Sequence, residues 1–303
     1  YPVLAVHDNE GWHVNEIAPR YADATFAESS FYSVWLTTEP AWVIANTGVI
    51  VEQERGADGR ITTHMVAGPS REFAVIASPD YQVETKEAYG TLVHSYFLPQ
   101  DRAAGLTALD RATSALRVYS DAYGPYPFRT MVVVEAPLEY RGMEYCTLNM
   151  LGIDTYRDKR DQLSYLVIHE TAHQWWYGQV GNNPQTSAWL DEGLAEYSAY
   201  TYTLMTQGRD KADALRDGRW VQSVTYARNN GLDTVLQQDS TDFASGLVYE
   251  IMVYAKGALF FDALRRAVGD EAYGEILREY VRRYRFQTVG APQFFGVIQD
   301  VTH

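Results

Sequence analysis

The chain has 303 residues, 46% hydrophobic and 14% aromatic, enough apolar surface for a large buried core shared between two domains. A net charge of −14 makes the electrostatic term with nucleic acid or an anionic membrane repulsive, so neither is expected as the main partner, and amine-bearing ligands are mildly favoured. A single cysteine, Cys146, excludes an intrachain disulfide and a thiolate metal cluster. No membrane span is expected either, since even the apolar stretch Leu247 to Phe261 is interrupted by Glu250 and Lys256.

The chain opens at Tyr1 without a methionine, so a processed or excised piece is expected, with any signal sequence already removed. Residues 1–100 read as a β domain of sandwich or saddle type. Short runs rich in Val, Ile, Tyr and Trp (Phe31–Thr37, Ala41–Ala45, Val49–Glu54, Ile61–Val66, Glu72–Ala77 and Thr91–Phe97) are separated by Pro, Gly, Asn or Asp. Asp58-Gly59 supplies the positive φ that a tight hairpin turn needs. His7, His13, His64 and His94 are scattered without ligand spacing and read as ordinary strand or loop histidines.

Near Leu98-Pro99 the period changes, and residues 101–303 read as a second, α+β domain. Leu109, Ala112, Leu116 and Tyr119 follow helical spacing up to Gly124-Pro125; Arg129–Ala136 and Met143–Leu151 are predicted strands. Helices are predicted over Leu163–Trp176, from Ser187, and over Lys211–Asn229, Gly246–Val268, Asp270–Tyr284 and Pro292 onward, where Pro suits a first turn. The chain stops inside that last pattern, so more chain is expected to follow. Neither an internal repeat nor a low-complexity segment is present.

The chemistry concentrates in HETAHQWWYGQVGNNPQTSAWLDE, His169 to Glu192. His169 and His173 are four apart, so on a helix both imidazoles leave one face and can grip one metal ion. Glu170, rotated by about 100° from His169, can reach a water beside the metal without being a ligand. A catalytic zinc takes three protein ligands and leaves a position for water. Gly178, Gly181 and Asn182-Asn183-Pro184 turn the chain back, and Glu192, 18 residues beyond His173 and one turn into the next helix, is the candidate third ligand. Such a zinc would lower the pKa of its water to about 7 and polarise a scissile carbonyl, with Glu170 as general base. Glu196, one turn further, would either orient a ligand or be a solvated helix-face carboxylate.

The stretches VIHETAHQWWYG and WLDEGLAEY resemble the zinc-binding core of the gluzincin aminopeptidases, the family of aminopeptidase N, with its H-E-x-x-H, 18 residues, then Glu. Arg141–Tyr145, RGMEY, is similar to that family's G-x-M-E-N exopeptidase motif, with Tyr145 where the family has Asn, and VYAKGALFF from Val253 resembles the segment of its catalytic tyrosine. The resemblance runs in order from Leu106 to Gly269. It implies a thermolysin-like α+β zinc peptidase domain (101–303) behind a partial N-terminal β domain, with a helical C-terminal domain and the start of the β domain outside this chain. It further implies one Zn2+ per chain and a peptide substrate with a free N-terminus. Glu144 would bind the substrate's α-ammonium, Gly142 and Met143 would shape the strand edge along which substrate lies, and Tyr254 would be a second donor to the oxyanion. Tyr249 stands next in line for that role. A zinc endopeptidase, with no need of Glu144, and a non-catalytic peptide-binding relative are the alternatives.

Overall fold

The computed structural model describes residues 6–8, 11–13, 21–22, 27–138 and 141–303. Strands β1 (Val6–Asp8) and β2 (Gly11–His13) pair antiparallel, while the side chains of His7 and His13 lie outside the described residues. The chain divides into two compact units. One comprises Ser29–Asp121 and Pro125–Gln174, the other Tyr1–Glu28, Ala122–Gly124 and Trp175–His303.

The first of these is the β-rich unit. Strands β3 (Ser30–Thr38), β5 (Val49–Arg55) and β6 (Ile61–Ser70) form an antiparallel sheet in the order β3-β6-β5, and β4 (Val43–Asn46) pairs with β7 (Val75–Ser78). Asp58-Gly59 lies in the β5–β6 connection as expected, with Gly59 at φ +87°, a conformation that a Cβ disfavours. The second sheet has five strands: β8 (Gln82–Ala88), β9 (Thr91–Phe97), β10 (Thr130–Ala136), β11 (Gly142–Tyr145) and β12 (Leu148–Gly152), in the order β11-β12-β10-β9-β8. Helix α1 (Arg102–Tyr123) is the crossover that the parallel pair β9/β10 requires. The single-turn α2 (Ile153–Tyr156) and the 13-residue α3 (Arg160–Ala172) follow.

Three expectations change here. The boundary drawn at residue 100 falls inside one sheet, because β8 and β9 hydrogen-bond into the array that contains β10, β12 and β11. The change of period coincides with the crossover helix that leads from β9 to β10. Strand β8, QVETKEA, is mostly exposed and charged because it is an edge, where charge blunts further pairing, so no apolar alternation announced it. Finally, Met143–Leu151 is a hairpin and not one strand. Tyr145 pairs with Leu148, and the chain reverses at Thr147, held at φ +62° without any glycine.

The second unit is helical. It holds α4 (Pro184–Ser187), α5 (Asp191–Gln207), α6 (Arg209–Leu215), α7 (Gln222–Asn229), α8 (Gly246–Glu250), α9 (Gly257–Val268), α10 (Asp270–Tyr284) and α11 (Ala291–Thr302), with a short parallel pair, β13 (Val180–Gly181) and β14 (Gln287–Thr288). The helices predicted over Lys211–Asn229 and Gly246–Val268 are present, but each contains a π-helical stretch, Arg216–Val221 and Ile251–Lys256. Rings fill this core: Tyr197 contacts Tyr200, Trp220 and Tyr273, and Phe294 contacts Tyr280 and Phe261. Among the described residues no helix is long and apolar enough to cross a membrane.

Helix α1 approaches β9 closely at Gly105, where a Cβ would sit 2.1 Å from the ring of the fully buried Phe97. Gly105→Ala raises helix propensity by about 1 kcal/mol but overpacks the core by about 1–3 kcal/mol, so a net loss of stability is expected. Thermal melting reads the sign. A melting temperature at or above wild type would mean that the Phe97 ring yields freely.

Candidate functional site

No Pro or Gly interrupts α3, and its last two turns, from Val167 to Ala172, are buried. The helix ends with His173 as its cap residue, earlier than the predicted Trp176. Beyond it Tyr177 takes φ +118° and donates its backbone N–H to the Val180 carbonyl, while the Val180 N–H donates to the Trp175 carbonyl, so the two tryptophans belong to a turn. The four-residue spacing of the histidines survives. The Nε2 atoms of His169 and His173 lie 3.1 Å apart, both residues are buried, and the rings meet edge to face. Two nitrogens bound to one tetrahedral zinc at 2.0–2.1 Å would be separated by roughly 3.3 Å, so the pair fits a shared ion.

Glu170 is buried on the same helix, and its carboxylate lies against the bare backbone of Gly142, where a Cβ would come within 2.1 Å of Oε1. Gly142 is therefore an accommodation for Glu170. Period two along β11 puts Glu144 on the same face as Gly142, and it too is buried, contrary to the usual solvated charge in a strand. Glu144, Glu170 and His173 each offer a ligand-type atom within 4.8 Å of the others. Met143 and Tyr145 point the other way and pack against the cluster of Ala45, Tyr81, Val132, Val134, Leu148 and Met150. Among the described residues strand β11 is paired only with β12, which puts it at the edge of the sheet.

In the helical unit, Glu192 lies in the first turn of α5 and accepts a 2.6 Å hydrogen bond from the hydroxyl of Tyr254. Tyr254 is half-buried on the π-helical stretch, with Tyr249 in edge contact with it. Two residues unmarked in the sequence reading set this pair. Gly193 and Gly257 face each other so closely that a Cβ on either would lie 3.1–3.2 Å from the other's backbone. Glycines inside two helical patterns were the available signal. Asp191, also unmarked, is buried and accepts from the Asn182 side-chain amide and from the backbone N–H of Glu192, fixing that first turn.

Glu196 is not a solvated carboxylate. It is buried, and accepts from the Arg219 guanidinium at 2.9 Å and the Trp220 indole at 2.9 Å, tying the other π-helical stretch to α5. His64 and His94 are engaged in the sheets, His64 by Ser33 and a stack on Trp35, His94 by Thr85, and burial lowers the pKa of His94. Cys146 is buried and its thiol pKa is raised by that burial, so it is no nucleophile.

Residues 107–303 match the peptidase family M1 domain, and the chain belongs to that family. Similar proteins include aminopeptidase M1-B of Oryza sativa subsp. japonica, 23% identical over 262 residues, covering 79% of this chain and 28% of that protein. Aminopeptidase N of Lactococcus lactis subsp. lactis is 26% identical over 210 residues, covering 60% and 23%. A crystal structure of an M1 zinc metallopeptidase from Deinococcus radiodurans superposes with a TM-score of 0.70 at 22% identity, covering 92% of this chain and 62% of that one. The fold is thus the expected one, a β-rich N-terminal part followed by a helical α+β domain. The chain spans 28% and 23% of the lengths of these two aminopeptidases.

Because the contact at Gly142 involves only the tip of a flexible side chain, Gly142→Ala should fold normally but displace the Glu170 carboxylate. A displacement of about 1 Å costs on the order of 10²-fold in rate where that group does chemistry. Peptide hydrolysis within a few-fold of wild type, at unchanged melting temperature, would show that Glu170 has no such post.

Proposed function

We propose that the protein is a zinc-dependent aminopeptidase, removing residues from the free N-terminus of peptides, with His169, His173 and Glu192 as ligands of one zinc. Family membership and the names of its relatives support peptide-bond hydrolysis. Two imidazoles and a carboxylate are a suitable donor set, leaving one position for water. Zinc bound there would lower the pKa of that water to about 7 and polarise the scissile carbonyl.

Glu170 then takes the proton of the attacking water and returns it to the leaving amine. Glu144 holds the substrate's α-ammonium as an ion pair, and the free edge of β11 receives the substrate backbone. Tyr254 supplies a second donor to the carbonyl oxygen as negative charge develops on it.

One observation carries the aminopeptidase reading over the endopeptidase one. The carboxylates of Glu144 and Glu170 lie within 4.8 Å of each other. In a peptide the amine nitrogen is roughly 2.5 Å from the carbonyl carbon of its own residue and about 6 Å from the next one. An ammonium on Glu144 therefore presents the first peptide bond to Glu170. The test pairs free peptides with their N-acetyl forms: free peptides should be trimmed stepwise and acetylated ones barely at all. Glu170→Gln should keep about one zinc per chain while losing turnover. Internal cleavage of acetylated peptides at the same rate would hand the protein to the endopeptidase reading, and loss of zinc in Glu170→Gln would make Glu170 a ligand.

The Tyr254 hydrogen bond to Glu192 defines a second measurement, because a phenol there could instead orient the ligand carboxylate. As an oxyanion donor, Tyr254→Phe should lower kcat by about 10²–10³ at constant zinc affinity. If Tyr254 orients Glu192, zinc affinity falls by about 10–100-fold instead. A kcat within a few-fold of wild type would remove Tyr254 from the chemistry and make Tyr249 the next residue to test.

A further inference from the structure

The side chain of Gln174, immediately after His173, is buried and directs most of its hydrogen bonds to the β11–β12 hairpin. Its Oε1 accepts from the Thr147 backbone N–H at 2.8 Å and from the Tyr126 hydroxyl at 3.4 Å. Its Nε2 donates to the Tyr145 carbonyl at 3.1 Å and to Asn149 Oδ1 at 2.8 Å. Three of these four partners lie in the hairpin and bracket its turn. One of them, the Tyr145 carbonyl, belongs to the residue next to Glu144.

The turn is one that would not hold itself. Thr147 sits at φ +62°, and a β-branched residue in that region is strained and persists only where its surroundings over-determine it. Each polar group of Thr147 is in fact taken. Its N–H goes to Gln174, its carbonyl accepts from Val132, and its hydroxyl oxygen accepts from Gly48. The bond to Val132 ties the turn to β10, and the bond to Gly48 ties it to the β4–β5 connection. The bonds with Gln174 tie it to the residue that follows the cap of the histidine helix.

We propose that Gln174 is a positioning residue that sets the distance between Glu144 and the His169–His173 helix, and so fixes how far from the substrate's amine the peptide bond is cut. This inference rests on the aminopeptidase reading. Glu144 touches the ammonium, and Gln174 acts through it. Any shift of the hairpin along the helix moves Glu144 relative to Glu170 and His173 while leaving the metal ligands themselves in place.

The experiment uses the zinc-loaded protein and a double-mutant cycle of Gln174→Met and Glu144→Gln. Methionine keeps length and apolar bulk but none of the four hydrogen bonds. Hydrolysis is followed with aminoacyl-4-nitroanilides, and binding by calorimetry with the amino acid of the best nitroanilide and with its N-acetyl form. Gln174→Met should raise KM about tenfold with kcat within a few-fold, and should weaken the free amino acid and not its N-acetyl form, with zinc content unchanged. Added to Glu144→Gln it should cost little more, since both changes remove one interaction. Multiplicative losses, or equal weakening of both amino acid forms, would reduce Gln174 to a structural role and overturn the proposal. If Glu144→Gln abolishes the free-amine preference while Gln174→Met retains it, the positioning role fails and the aminopeptidase reading stands. If Glu144→Gln itself keeps that preference, amine recognition by Glu144 fails and the positioning role falls with it. Should Gln174→Met not fold, Asn149→Ala, which removes one of the four bonds from the hairpin side, decides by the same pattern at smaller amplitude.

Discussion

Two buried carboxylates beside a buried imidazole are the constraint on which the β-rich unit depends. Glu144 and Glu170, if both ionised within 4.8 Å, repel by roughly 3–4 kcal/mol at an effective dielectric constant of about 20. The fold holds them there by rigid means: a glycine opposite Glu170, a hairpin whose turn is strained but saturated with hydrogen bonds, and a glutamine that joins hairpin to helix. Under the proposed function, a substrate ammonium is the cation that this pair of carboxylates would meet.

The helical unit solves a different problem, which is to present one carboxylate with a defined orientation. Glu192 is fixed from below by Asp191, which accepts its backbone N–H, and from the side by Tyr254. The Gly193–Gly257 approach lets the two helices come close enough for that 2.6 Å bond. The π-helical stretch matters as well, because its wider turn rotates Tyr254 relative to the register of an uninterrupted α-helix. Glu196 then anchors the other π-helical stretch through Arg219 and Trp220, so a residue first read as a candidate ligand-orienting group serves the packing of its own unit.

What was legible in the sequence follows from how local each determinant is. The four-residue spacing of His169 and His173 needs only helical geometry, and the structure reproduces it; the long helices Asp270–Tyr284 and Gly246–Val268 are similarly self-announcing. Strand β8 was illegible because an edge strand carries charge on both faces and so lacks the alternation of a half-buried one. The reversal at Thr147 was illegible for the opposite reason. Its left-handed conformation is imposed by Gln174, Val132 and Gly48, residues far away in sequence, and no Gly, Asn or Asp marks it. The change of period at Leu98-Pro99 was seen, yet the crossover it begins depended on β9 and β10 pairing, a long-range fact.

Tyr145, which stands where the resembled motif has Asn, turns its ring away from Glu170. Along β11 successive side chains alternate, so Gly142 and Glu144 face Glu170 while Met143 and Tyr145 face the apolar cluster around Tyr81, Val134 and Met150. What position 145 contributes to the pocket side is its backbone carbonyl, held by Gln174, and a carbonyl is indifferent to the side chain it carries. An aromatic ring there adds apolar burial to the far face of the sheet and leaves the spacing of Glu144 to be set by hydrogen bonds that do not involve the ring. The ring of Tyr145 therefore belongs to the core, on the face of β11 opposite Glu144.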